Sequence, residues 1–317
     1  MLLIIMFHSL CFYAGIWWYL CTEIVPAWVI ISLPIERVGL TTFVLISGFL
    51  FGYLYIEKEK YRNTFSFIKN KAYRLIVPYL FWSCFMILFM PKLNLSWDNL
   101  LTGVCHLWFL LMLFELFIII IIWCKFHFHK CPLQIDIIVL VLSFSLIYIW
   151  NYFTTHHYIL CLTQVMYYLP AFLVGFYCAK YNVHHFRYKK GILSILFITS
   201  VFSLFYISTT HHSETTIYRI PSILVSVLSI LLLSSINCPS ILLKPIKHFE
   251  RHSMGIYIFN QIIVFVILYQ PTFNQYLSTH LYIGPLVIFG LSLFIPWGLA
   301  VFFSHFNYLS WINGTTT

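Results

Sequence analysis

Residues 106–125 read HLWFLLMLFELFIIIIIWCK, and between the two ends of that stretch Glu115 is the one charged side chain. About 20 consecutive apolar residues is the length an α-helix needs to cross the hydrocarbon core of a bilayer. A carboxylate near the middle of such a helix costs roughly 2.5–3.5 kcal/mol on insertion scales. Glu115 is therefore expected to face protein, to carry a proton, or to have a partner. A functional role and a structural hydrogen bond fit it equally well.

Runs of the same kind recur along the whole chain. Of its 317 residues, 61% are hydrophobic and only 9% charged, whereas a water-soluble domain carries roughly 25% charged residues. Such a chain cannot cover a water-facing surface, and no polar stretch is long enough for a separate soluble domain. The sequence predicts an all-α integral membrane protein, one polytopic domain over 1–317. Ten candidate spans fall near 1–20, 37–56, 75–90, 105–123, 135–151, 163–180, 192–208, 219–236, 253–270 and 282–305.

The formal charge of +9 does not point to nucleic acid, because the cations are gathered in short connections. With the N-terminus in the cytoplasm, only Arg37, Lys92 and Arg219 of the 18 Lys and Arg residues fall outside. Orientation follows Lys and Arg in short loops, so about ten transmembrane helices with both termini cytoplasmic are expected. The nine cysteines make no CxxC pair and read as small packing residues. The histidine pairs 156–157, 184–185 and 211–212, and His127 with His129, fall at loops or span ends. Neighbouring residues point apart and chelate poorly, so no metal is expected.

Four features stand out. His8 interrupts the apolar opening MLLIIMFHSL, residues 1–10, where a titratable ring is expensive. Residues 57–82 begin with a charged connection, in which Thr64 is a candidate N-cap and Phe65, Ile68, Ala72 and Leu75 recur at helical steps. Lys71 and Arg74, three residues apart, project from neighbouring positions and suit a phosphate-rich ligand or lipid headgroups. Gly48-xxx-Gly52 in FVLISGFLFG, residues 43–52, lets helix backbones approach closely. Ser253 can cap the ninth span, with Asn260 about two turns in.

Taken in order, these stretches resemble the membrane-bound acyltransferase type 3 family. The resemblance is carried by MFHS at 6–9, FVLISGFLFGY at 43–53, SFIKNKAYRLIVPY at 66–79, HLWFLLMLFE at 106–115 and SMGIYIFNQ at 253–261. It implies a multi-pass enzyme of the plasma (inner) membrane that moves an acetyl or short acyl group from acyl-CoA, acetyl-CoA above all, to a hydroxyl of a cell-surface or lipid-linked glycan. His8 matches the family's first-span histidine, which implies a general base or a transient acyl carrier; Glu115 is the candidate for the group that orients it. Lys71 and Arg74 match an Arg-x-x-Arg pair, which implies binding of the acyl-CoA donor, with Lys in place of the first Arg. The family's arginine about ten residues before the histidine would precede residue 1, which implies a start further upstream or a protein without it. Asn260 stands where many relatives carry His. A polytopic transporter of glycans or small acids, with Glu115 coupling protons, is the alternative, as is an inactive relative.

Overall fold

A computed structural model describes residues 1–317 except 18–23, 62, 127, 154–159, 184–189, 211–214, 235–238, 307–308 and 315–317. Arg62, His127, Arg187, Lys189 and the three histidine pairs of the sequence reading lie outside the described residues. Among the described residues the regular structure is helical throughout. In chain order the first helices are α1 (Leu2–Cys11), α2 (Pro26–Gly52), α3 (Thr64–Phe89), α4 (Asn99–Thr102), α5 (Trp108–Lys125) and α6 (Leu133–Phe153). They are followed by α7 (Leu162–Lys180), α8 (Lys190–Thr210), α9 (Arg219–Ser234), α10 (Ser240–Arg251), α11 (Ser253–Tyr269), α12 (Pro271–Thr279) and α13 (Gly284–His305).

Among the described residues, seven helical segments are long and apolar enough to cross a membrane, and α10 with α11 forms a further pair bent by 67°. Two shorter apolar helices, α1 and α9, accompany them. The outer faces of α6 and α8 leave Ile137, Ile138, Val141, Leu142, Ile195 and Phe202 exposed. Continuous apolar surface of this kind marks a membrane or partner contact, and here lipid is the matching solvent.

Two starts differ from the sequence expectation. Helix α2 begins at Pro26, well before residue 37, since proline suits the first turn of a helix. The amphipathic stretch after residue 64 and the span expected at 75–90 form one continuous helix of 26 residues. Its N-cap is Asn63 and not Thr64: the Asn63 side-chain oxygen accepts from the Ser66 N–H at 3.1 Å. Nothing between Thr64 and Leu75 breaks helical propagation, so the surface segment runs straight into the span.

The chain forms two compact units, residues 1–41 with 188–315, and residues 42–187. In the first, α11 packs on α13, α8 on α9, and α1 against both α11 and α13. Leu204, Tyr218 and Val225 form a small core there, flanked by Val38 and Phe197. Pro34 inside α2 has no N–H to give the Ile30 carbonyl four residues back. The Ser208 hydroxyl of α8 donates to that carbonyl instead, at 2.9 Å.

In the second unit α3 packs on α5, and α7 on both α5 and α6. Helices α2 and α7 cross at bare backbone, which is the close approach the Gly48-xxx-Gly52 spacing implied. A Cβ on Gly48 would lie 2.1 Å from the Phe172 carbonyl oxygen, and one on Gly175 only 2.0 Å from that of Leu45. Either glycine replaced by alanine is expected to force the helices apart and cost about 1–3 kcal/mol, as overpacking does. A lowered melting temperature of the purified protein reads this out. Gly290→Ala is the control, because a Cβ there meets nothing within 4 Å; equal melting of all three variants would refute the crossing.

Candidate active site

In α1 the residues at four- and three-residue steps, Ile4, His8 and Cys11, are buried, while Leu2, Leu3 and Met6 are exposed. The 3.6-residue period puts the first three on one face. Because α1 packs that face on α11 and α13, His8 points into protein and is only 6% exposed.

Its partner comes from α11. Ring nitrogen Nδ1 of His8 lies 2.5 Å from the Asn260 side-chain oxygen, and the Asn260 amide nitrogen donates to the Ser292 carbonyl of α13 at 2.8 Å. The second bond decides the first. A carbonyl accepts only, so the Asn260 NH₂ must face Ser292 and its oxygen must face His8. An oxygen accepts from an N–H, so Nδ1 carries the proton and donates. The neutral ring then has its basic lone pair on Nε2.

The Ser292 carbonyl has a reason to be available. Pro296 sits four residues further along α13, where an ordinary residue would donate to that carbonyl and proline cannot. A proline in one helix thus frees an acceptor, an asparagine of a second helix takes it, and a histidine of a third is held in one tautomer. Trp17 stands beside the imidazole at 6.1 Å between ring centres and packs on Phe265 of α11 at 5.0 Å.

His8 and Asn260 fall in the unit of residues 1–41 and 188–315; Glu115, Lys71 and Arg74 fall in residues 42–187. Glu115 is buried on α5, and one of its oxygens accepts from the backbone N–H of Cys161 at 3.2 Å. Cys161 is the N-cap of α7, so the carboxyl sits at the positive end of that helix's dipole. The other oxygen is buried and has no hydrogen-bond partner among the described residues. The Cys161 Sγ contacts the carbonyls of Thr102 and Trp108, each at 3.5 Å. Burial first, and then the Glu115 carboxylate, pushes that thiol up to about 12, so it is no nucleophile at neutral pH.

Lys71 and Arg74 lie one turn apart on α3. Lys71 is half-buried, with its Nζ 3.9 Å from the centre of the Phe117 ring on α5 and 5.7 Å from that of Phe67. Aromatic faces attract an ammonium at that range. Arg74 is exposed.

Sequence reasoning did not find the Asn260–His8 pair, nor a buried ion pair in the second unit. There the Asp136 carboxylate, 2% exposed, binds the Lys180 ammonium and accepts from the Tyr181 hydroxyl at 2.6 Å. Burial and that bond push the Tyr181 hydroxyl up to about 12, so it stays a neutral donor. The signal for the ion pair was an acid inside the apolar run LQIDIIVL, residues 133–140.

A family profile described as an acyltransferase domain, acyltransferase 3, matches residues 1–305. No curated protein and no solved structure matches the chain. An all-helical protein with at least seven apolar helices of spanning length, matched over nearly its whole length by this profile, belongs to the membrane-bound acyltransferase type 3 family.

Proposed function

We propose that this acyltransferase is an O-acetyltransferase that takes an acetyl group from acetyl-CoA and places it on a hydroxyl of a cell-surface or lipid-linked glycan. The observation that carries the reading is the locked imidazole: with Nδ1–H held by Asn260, Nε2 is the basic nitrogen. His8 acts as general base. Nε2 takes the hydroxyl proton as the glycan oxygen bonds to the thioester carbonyl carbon. The C–S bond then breaks, and the departing thiolate of CoA takes the proton back from Nε2. Through Nδ1 the imidazolium keeps its bond to Asn260, whose amide plays the orienting part that asparagine has in Cys-His-Asn sites. Asn260 is thus a positioning residue. Glu115, with one oxygen on the Cys161 N–H, enters as the tether of the start of α7.

Lys71 and Arg74 bind the phosphates of the donor; one half-buried and one exposed cation a turn apart suit a polyanion. Replacing both with glutamine is expected to raise the KM for acetyl-CoA about tenfold or more, since a hydrogen bond to a charged group contributes about 1.5–3 kcal/mol. Unchanged KM and turnover would remove the assignment.

In this reading α1, α9 and α11 also cross the membrane, which makes ten spans with both termini in the cytoplasm of a plasma (inner) membrane protein. The gathering of Lys and Arg in one set of short connections supports it.

The decisive experiment incubates purified protein with radiolabelled acetyl-CoA and lipid-linked glycan. Label is expected on a glycan hydroxyl, in proportion to CoA released. Movement of glycan across vesicles without acetyl-CoA dependence and without labelled product would make the protein a transporter.

A further inference from the structure

Helix α10 differs from its neighbours in both composition and direction. It carries Lys244, Lys247 and Arg251 in 12 residues, and its axis turns by 67° from that of α11 at His252. At 100° per residue, Ile241, Pro245, Phe249 and Ile246 fall within an arc of about 140°, and Lys244, Lys247 and Arg251 within about 60° on the opposite side. The helix is therefore apolar along one face and cationic along the other.

Little of the apolar face is covered. Phe249 and His248 meet the Trp297 ring of α13 at 6.5 and 5.6 Å between centres. Ile241 remains 80% exposed and Ile246 52%, and the three cations are exposed as well. Water suits the cations and not the isoleucines; hydrocarbon suits the isoleucines and not the cations. A helix about 10 Å wide satisfies both only where acyl chains meet headgroups. The bend agrees, since α11 is apolar and free of Lys, Arg, Asp and Glu from Ser253 to Tyr269, and a helix leaving it at 67° runs closer to the membrane plane than to its normal.

We propose that α10 is an in-plane helix that binds anionic phospholipid, with Ile241 and Ile246 among the acyl chains and Lys244, Lys247 and Arg251 on the headgroup phosphates. Charge selects the occupant. Three cations beside one acid, Glu250, attract an anionic leaflet more than a zwitterionic one. The inference is independent of the acetyl-transfer chemistry.

The test places a photo-crosslinking benzoylphenylalanine at Ile246 of the full chain. The protein is reconstituted in nanodiscs of phosphatidylcholine with about a third phosphatidylglycerol, and the adducts are weighed by mass spectrometry; phosphatidylglycerol is expected to be enriched about threefold or more over its bulk share. High salt should remove that enrichment in the otherwise unaltered protein, and so should Lys244→Gln, Lys247→Gln and Arg251→Gln together. Adducts to protein alone, or lipid adducts at the bulk ratio in low salt, overturn the proposal. So does enrichment that survives the triple substitution; a KM for acetyl-CoA that rises with it would show that the cations serve the donor.

Discussion

His8→Ala is expected to lower acetyl transfer by about 10²–10⁴-fold, the range a positioned general base contributes, while the protein still folds and still binds acetyl-CoA. The physical reason is that water does not replace an imidazole whose lone pair is aimed by a chain of fixed bonds. Asn260→Leu separates aim from presence. The ring remains, but the Asn260 oxygen no longer holds the proton on Nδ1, so turnover should fall at constant KM. Asn260→Asp keeps an acceptor oxygen for Nδ1 and loses the donor to Ser292, and an intermediate rate is expected. Measuring kcat and KM for all three variants in reconstituted membranes checks this. Wild-type turnover in His8→Ala removes the residue from the mechanism, and a pure KM effect in Asn260→Leu makes the asparagine a binding group.

Asp136→Ala is expected to be the most damaging change to stability, at about 3–5 kcal/mol, the range for removing one partner of a buried ion pair. Asp136 lies in the first turn of α6, and Lys180 is the last residue of α7. Each charge therefore also sits at the end of the helix dipole that favours it. Deleting the acid leaves the ammonium, whose side chain is 11% exposed, with the Cys131 carbonyl at 2.8 Å as its remaining described oxygen partner. Asp136→Leu with Lys180→Met removes both charges at once and should recover much of the loss, since an apolar pair often replaces a buried ion pair at little cost. Melting of the solubilised protein separates these outcomes. If Asp136→Ala melts with the wild type, the pair is not an anchor.

Much of the fold was legible because lipid imposes a length and a composition on every crossing helix. The starts of α2 and α3 were not, because a span limit marks where hydrocarbon ends, whereas a helix continues until its hydrogen bonds are interrupted. Gly48 was legible as a packing residue, yet its counterpart Gly175 became visible only where α7 met α2. At the candidate site, His8 could be singled out from MLLIIMFHSL, and the buried face of α1 follows from its spacing to Ile4 and Cys11. Lys180 was legible only as one more cation at a span end.

The sequence alone determined that the chain lives in a bilayer, which of its stretches are apolar, and that a titratable ring lies within the first of them. Hydrophobicity and charge placement are local properties, and they need no knowledge of neighbours. Which nitrogen of His8 holds the proton was decided only by tertiary structure. Its partner Asn260 lies 252 residues away in the chain, and Asn260 is itself turned by a carbonyl that Pro296 leaves free on a third helix. Hydrogen-bond direction belongs to the set of helices that meet, and no single stretch of sequence contains it.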